Sequence, residues 1–310
     1  MEKGLLSDGC SRVWRHQRIL WWLFVVNLVL GHLSVFGMVS RWAGVLDHSV
    51  AADQLYHGFN LGRYIELGMQ PGIGFGSAAP GITAFAIVFF LFMLFVTGGI
   101  LEAYRSPYKI SAADFFQASG AWFWRFVRLL IMFVIVLIPL VIAANAIKNW
   151  SGDLSSNAAP EKLGFWVDVA GAAVIWFIAM CLRLWFDVAQ VHAVATGERA
   201  MRRALKRAFG MTFGNFGAVF PLYLVPSLAA FIGMGVILWL WTKAPSAATG
   251  LSFVLLEIWM LLWLGTRLWQ RAGETAWYQR TQIPAQMEPI IPAAAGVPGE
   301  PATGLATGGQ

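Results

Sequence analysis

The chain has 310 residues, 58% of them hydrophobic and only 12% charged, against roughly 25% charged in a soluble domain. That apolar excess is too large for one buried core and excludes a water-soluble globule; lipid is the main solvent of this sequence. The net charge of +6 is distributed as a membrane-orientation signal, described below, rather than as a nucleic-acid surface, and Cys10 and Cys181 form no Cys-x-x-Cys, which excludes a disulfide framework and argues against a metal site.

A spanning helix needs about 20 predominantly apolar residues. Six stretches meet this in chain order: Ile19–Val39, Gly81–Leu101, Leu129–Ile147, Val167–Phe186, Gly217–Trp241 and Leu251–Leu268. The first has a basic start (Arg12, Arg15, Arg18), but Gly37-Met38-Val39-Ser40-Arg41 offers no small-residue cleavage site, so it reads as an uncleaved span. The fold class expected is all-α: a polytopic membrane helix bundle over residues 1–282, with cytoplasmic interfacial amphipathic helices. Residues 283–310, rich in Pro, Ala, Gly and Thr, form a tail with too little to bury, expected to be disordered and cytoplasmic.

Orientation follows from Lys and Arg placement. If odd-numbered spans leave the cytoplasm, seventeen of the 22 basic residues fall inside and five (Arg41, Arg63, Lys148, Lys162, Lys243) outside. Both ends then face the cytoplasm of a bacterial inner membrane. Tryptophans agree: Trp21, Trp22, Trp185 and Trp269 sit at inner ends, Trp42, Trp150, Trp166, Trp239 and Trp241 at outer ends, as in an aromatic belt.

The first outer loop reads as a short helix around Ala51–Leu67, then a Gly/Pro-rich connector, Gly68–Gly81, without a phosphate-loop pattern. Two cytoplasmic segments are amphipathic helices. Ser111 is an N-cap with Asp114 three residues on, followed by Phe115, Phe116, Trp122, Phe123 and Phe126 at helical spacing; this helix is expected in the interface, running into span three. The second begins near Thr196 and sets Met201, Ala204, Leu205, Ala208 and Phe209 on one face. Arg199, Arg202, Arg203, Lys206 and Arg207 occupy the remainder and are the expected contacts to anionic lipid headgroups, at about 1 kcal/mol per basic residue near the surface. Spans four and six both end in Arg-Leu-Trp (Arg183–Trp185, Arg267–Trp269), and an amphipathic helix joins spans two and three as well as four and five. These point to a repeated two-helix unit.

Ala204–Phe216, leading into Pro221-Leu222-Tyr223-Leu224-Val225, resembles the segment that enters a late helix in membrane domains of the glycerophosphodiester phosphodiesterase type, a layout shared by many bacterial six-helix proteins. The resemblance implies a membrane module with no catalytic residue to carry over, since the catalytic barrel of such relatives is a separate soluble domain.

Ionisable groups within spans are candidates for function. His32 and Glu257 both lie about 10 Å below the outer surface at 1.5 Å per residue, and would meet if spans one and six are neighbours. A second cluster gathers at the inner surface: Glu102, Arg105, Arg183, Asp187, Arg267 and Arg271, either salt-bridged between helix ends or with Arg183 and Arg267 snorkelling to headgroups. Pro139, Pro221 and Pro226 are expected to kink their spans, and Asn27 and Asn145 to bond between helices. There is no His-Glu-x-x-His, no Gly-x-Ser-x-Gly and no paired-aspartate motif, and only His32 of five histidines lies well inside a span; no haem, metal or other cofactor is expected. The leading expectation is a non-enzymatic component of envelope assembly, lipid handling or transport, with membrane lipids, another membrane protein or a second copy as partners and no nucleic acid. A transporter of small solutes or lipid is the alternative, and an intramembrane enzyme using Glu257 and His32 the third.

Overall fold

The computed structural model describes residues 4–47, 61–69, 75–157, 162–243 and 249–282, and every element among them is a helix. In chain order these are α1 (Leu5–Arg15), α2 (Gln17–Leu46), α3 (Leu61–Met69), α4 (Phe75–Arg105), α5 (Ala112–Asn157), α6 (Lys162–Thr196), α7 (Met201–Gly214), α8 (Phe216–Lys243) and α9 (Thr249–Thr281). Six of them, α2, α4, α5, α6, α8 and α9, are long and apolar enough to cross a membrane. The expected all-α membrane bundle is what the chain forms.

The helices extend further than their apolar runs. The fourth span does not stop at Phe186 but continues as α6 to Thr196, where Gly197 at φ +68° turns the chain toward α7. The sixth continues past Leu268 to Thr281. Ser111 caps α5 as expected: its hydroxyl accepts the Asp114 N–H at 3.1 Å and donates to the Asp114 carboxylate at 2.6 Å. The helix that follows is unbroken through Pro139 into the third span. Its stripe is buried against α4 rather than laid in lipid, with Phe115, Trp122 and Phe126 covered while Phe116 and Trp124 stay exposed. Pro221 and Pro226 likewise lie inside an uninterrupted α8. The helix expected around Ala51–Leu67 is described only from Leu61. Part of the Gly/Pro connector, Phe75–Pro80, is the start of α4, and residues 70–74 and the tail 283–310 lie outside the described residues.

The end of the bundle that holds α1, α7 and the close of α9 is called the basic end. Helices α4, α6 and α9 run toward it and touch one another there. Each is paired with an amphipathic segment that leads into a span running away: α4 with the start of α5, α6 with α7 and then α8, α9 with α1 and then α2. The Arg-Leu-Trp motifs serve these pairs alike. The Trp185 indole N–H donates to the Leu205 carbonyl of α7 at 2.8 Å, and the Trp269 indole N–H to the Leu6 carbonyl of α1 at 2.8 Å. In the α4–α5 pair the backbones meet through glycine: a Cβ on Gly99 would stand 2.5 Å from the Ser119 hydroxyl and 2.7 Å from the Phe115 carbonyl oxygen. Gly9 does the same for α1 and α9: a Cβ there would stand 3.0 Å from the Gly273 backbone nitrogen. The two-helix unit read from sequence thus recurs three times, the third assembled from segments distant in the chain.

Burial is concentrated at the basic end. Tyr104, Phe126, Leu184, Trp277 and Tyr278 are all 2% exposed or less. At the opposite end Phe36, Ile142, Trp166, Ile232 and Trp239 are each at least 60% exposed, presenting apolar surface to lipid.

Candidate functional site: an arginine-lined cavity

Past Arg183 and Arg267 the sequence of α6 and α9 turns polar at matched positions. Arg183, Asp187 and Gln190 recur at i, i+4, i+7, and so do Arg267, Arg271 and Glu274, with Gln270 alongside. That spacing puts each set on one helix face. Because Leu184 and Leu268 are buried and the adjoining tryptophans hold α7 and α1, the two stripes turn toward each other.

They bound a cavity of about 360 Å³ between α2, α4, α6 and α9. Its polar floor is Arg183, Asp187, Arg267 and Arg271; its walls are Leu23, Phe89, Met93 and Leu264, with Trp263 between the two. Asp187 pairs with Arg271 at 3.0 Å and with Arg183 at 3.7 Å, and Arg271 also donates to the Gln190 side-chain oxygen at 2.6 Å. Among the described residues Arg267 has neutral partners only: the Tyr223 hydroxyl at 3.5 Å, the Gln270 side-chain oxygen at 3.2 Å, and the Trp263 ring, over which its guanidinium sits at 4.5 Å. Gln270 is itself fixed, donating to the Tyr223 carbonyl at 3.0 Å and the Ser227 hydroxyl at 2.8 Å. A smaller cavity of about 130 Å³ toward α8 shares Trp263, Arg267 and Gln270. One turn below, Glu274 is fully buried in the field of Asp187 and the three arginines, and neither carboxyl oxygen has a hydrogen-bond partner among the described residues. Thr275, Trp277 and Tyr278 close the packing beneath it, where the Tyr278 hydroxyl meets His192 Nδ1 at 2.7 Å.

The inner-surface cluster read from sequence therefore divides. Arg183, Asp187, Arg267 and Arg271 come together at the cavity floor. Glu102 and Arg105 form a separate 2.9 Å pair, from which Arg105 reaches the Val194 carbonyl at 3.2 Å. His32 and Glu257 lie on neighbouring helices, yet no hydrogen bond or ion pair joins them among the described residues. His32 Nδ1 faces the Leu28 carbonyl at 2.8 Å, its ring packs edge-on against Phe253, and Glu257 Oε2 is buried without a partner among the described residues. Asn27 does bond between helices, donating to the Met260 sulfur at 2.6 Å; Asn145 is exposed.

On α7, Met201, Ala204 and Ala208 are buried, and Arg202, Arg203, Lys206 and Arg207 are exposed together with Arg199 just before the helix. Phe209 stays half exposed against Trp185 and Phe213. Glu198 in the preceding turn accepts the Ala200 N–H at 3.1 Å, which holds its carboxyl below the usual carboxylate range, and Arg207 lies 3.9 Å away. Sequence reasoning missed Gln190, Tyr223, Gln270 and Glu274. The signal that could have found Gln190, Gln270 and Glu274 is the repeated polar stripe; Tyr223 lies on α8 and carries none. No family model, curated protein or solved structure matches the chain.

Proposed function

We propose that the chain is a non-enzymatic component of a bacterial inner membrane, both ends in the cytoplasm, that handles lipid in envelope assembly or transport. The observation that carries this reading is the difference between the two ends. One is closed and presents the five cations of the α7 region; the other spreads apolar helix faces into lipid. A protein built this way has anionic headgroups as its natural partners on the basic side and acyl chains on the other. The seventeen-to-five division of basic residues supports cytoplasmic placement of the basic end. The layout around α7 and α8 is the one in which the chain resembles membrane domains of the glycerophosphodiester phosphodiesterase type. A transporter of lipid or small solutes is the second reading, favoured by the cavity of about 360 Å³ among four helices.

Two measurements test the proposal. Cys10 is exposed in α1, so in a Cys181→Ala background an impermeant maleimide should label it only after the inner membrane is opened. Labelling in intact spheroplasts overturns the orientation. The purified chain, reconstituted into vesicles with a trace of fluorescent phospholipid, should speed movement of that lipid between leaflets; a rate equal to that of empty vesicles overturns lipid handling.

A further inference from the structure

We propose that the arginine-lined cavity is a binding site for one anionic phospholipid, its phosphodiester held by Arg183, Arg267 and Arg271 and its chains lying along Leu23, Phe89 and Leu264. This deepens the lipid-handling reading and rests on it.

Charge is the first argument. Three guanidinium groups line the floor with one carboxylate, Asp187; Glu274 lies one turn below, fully buried and outside the lining, so positive charge is in excess at the floor. Asp187 is already shared by Arg183 and Arg271, and Arg267 has no carboxylate within 4.0 Å among the described residues. A partly enclosed cation without a counter-charge is costly, so the arrangement calls for an anion. A phosphodiester carries a negative charge and supplies one.

Geometry is the second. Arg267 spends its bonds to Tyr223 and Gln270 through Nη1 alone, leaving Nε and Nη2 for a ligand. Stacking on Trp263 fixes the plane of its guanidinium, and a fixed fork suits paired phosphate oxygens. Lining is the third. A free ion would need a polar chamber, whereas above the floor Leu23, Phe89, Met93 and Leu264 line the walls, and the polar side chains there, Asn27 and Thr97, already donate to the Met260 sulfur and the Met93 carbonyl. Cationic floor and apolar walls describe the two halves of an amphiphile. A headgroup amine would meet the same three arginines unfavourably, which selects lipids without one.

The test is native mass spectrometry of the full chain in detergent, with phosphatidylglycerol, phosphatidylcholine or inorganic phosphate added. One phosphatidylglycerol per chain should be retained, phosphatidylcholine far less, and inorganic phosphate should not displace the lipid. Arg267→Gln should lower retention about tenfold, the scale of one lost charge-assisted contact, with Arg267→Lys intermediate. Arg18→Gln, an exposed cation at the same end, should leave retention unchanged. If Arg267→Gln does not yield a folded chain, Thr97→Phe, which crowds the cavity from an uncharged wall position, should lower retention in its place. Equal retention by the wild type and these cavity variants, an equal loss in Arg18→Gln, or displacement of lipid by phosphate overturns the site. Lipid movement in vesicles separates the two proposals. Retention through Arg267 without any movement sinks lipid handling and keeps the site; movement without retention does the reverse.

Discussion

The two ends of this bundle hold the same six long helices together by different means. At the basic end backbones meet through Gly9, Gly99 and Gly273, indole N–H groups seek carbonyls, and carboxylates bridge arginines. At the opposite end glycines such as Gly31, Gly37 and Gly235 have open space about them, and large apolar side chains face outward; Gly171, packed against the Cγ2 methyl of Ile147, is a local exception. The solvent explains the contrast. Where helices run past their apolar stretches, side chains such as Phe126 and Trp277 would meet water, and burying them gains about 25 cal/mol per Å². In lipid that gain vanishes, because an acyl chain is as apolar as leucine, and only van der Waals fit and hydrogen bonds draw helices together.

The sharpest way to break the comparison is through charge. Asp187→Asn removes the carboxylate shared by Arg183 and Arg271 and should lower stability by about 3–5 kcal/mol, the scale for stranding a buried ion. Asp168→Asn at the opposite end, where the exposed carboxylate accepts the Ser151 hydroxyl at 3.3 Å, should stay within about 0.5 kcal/mol. Denaturant unfolding in micelles reads both, and equal costs would erase the distinction. Next comes packing: Gly99→Val places methyls into the α5 backbone and should cost about 1–3 kcal/mol by the same measurement. Trp269→Phe removes one indole bond to α1 and should cost about 1 kcal/mol. Amide exchange should quicken in residues 5–15 and not at α7, while Trp185→Phe should do the converse. At the opposite end Gly31→Ala should stabilise by about 0.5–1 kcal/mol, since helix propensity improves and nothing is crowded. Smallest is a pH effect. The folded state depresses the Glu198 carboxyl, so its contribution is present above the unfolded carboxylate value and is lost as pH falls through the lower folded one. Protection of amides in the α6–α7 turn, taken relative to intrinsic exchange at each pH, should therefore fall with acidification through that window in the wild type and stay flat in Glu198→Gln.

Depth was legible in the sequence and azimuth was not. Counting along each span placed Arg183, Asp187, Arg267 and Arg271 at one level, and they meet. The same counting placed His32 and Glu257 at one level, yet His32 turns to Leu28 and Phe253. Helices apolar all round, such as α2, carry no stripe from which to read which way a side chain faces. Past Arg183–Trp185 and Arg267–Trp269 the sequence reads as polar helix, and α6 and α9 do continue there. What was not legible is that Gln190, His192, Glu274 and Thr275 are covered, since their covering partners lie elsewhere in the chain. Those partners are the hardest part to read, because Leu6 and Gly9 sit in a short polar-looking segment and their contacts lie at the other end of the chain.

That last pairing has a consequence in time. Leu6 and Trp269 are 263 residues apart, and Asp8 is bound to Arg280. At about 5–20 residues per second of synthesis, α1 waits roughly 15–50 s for its partner to emerge. A segment made before the six spans is thus among the last to settle. Its docking on α9 can occur only once the spans between the two have been made, so this contact closes the bundle.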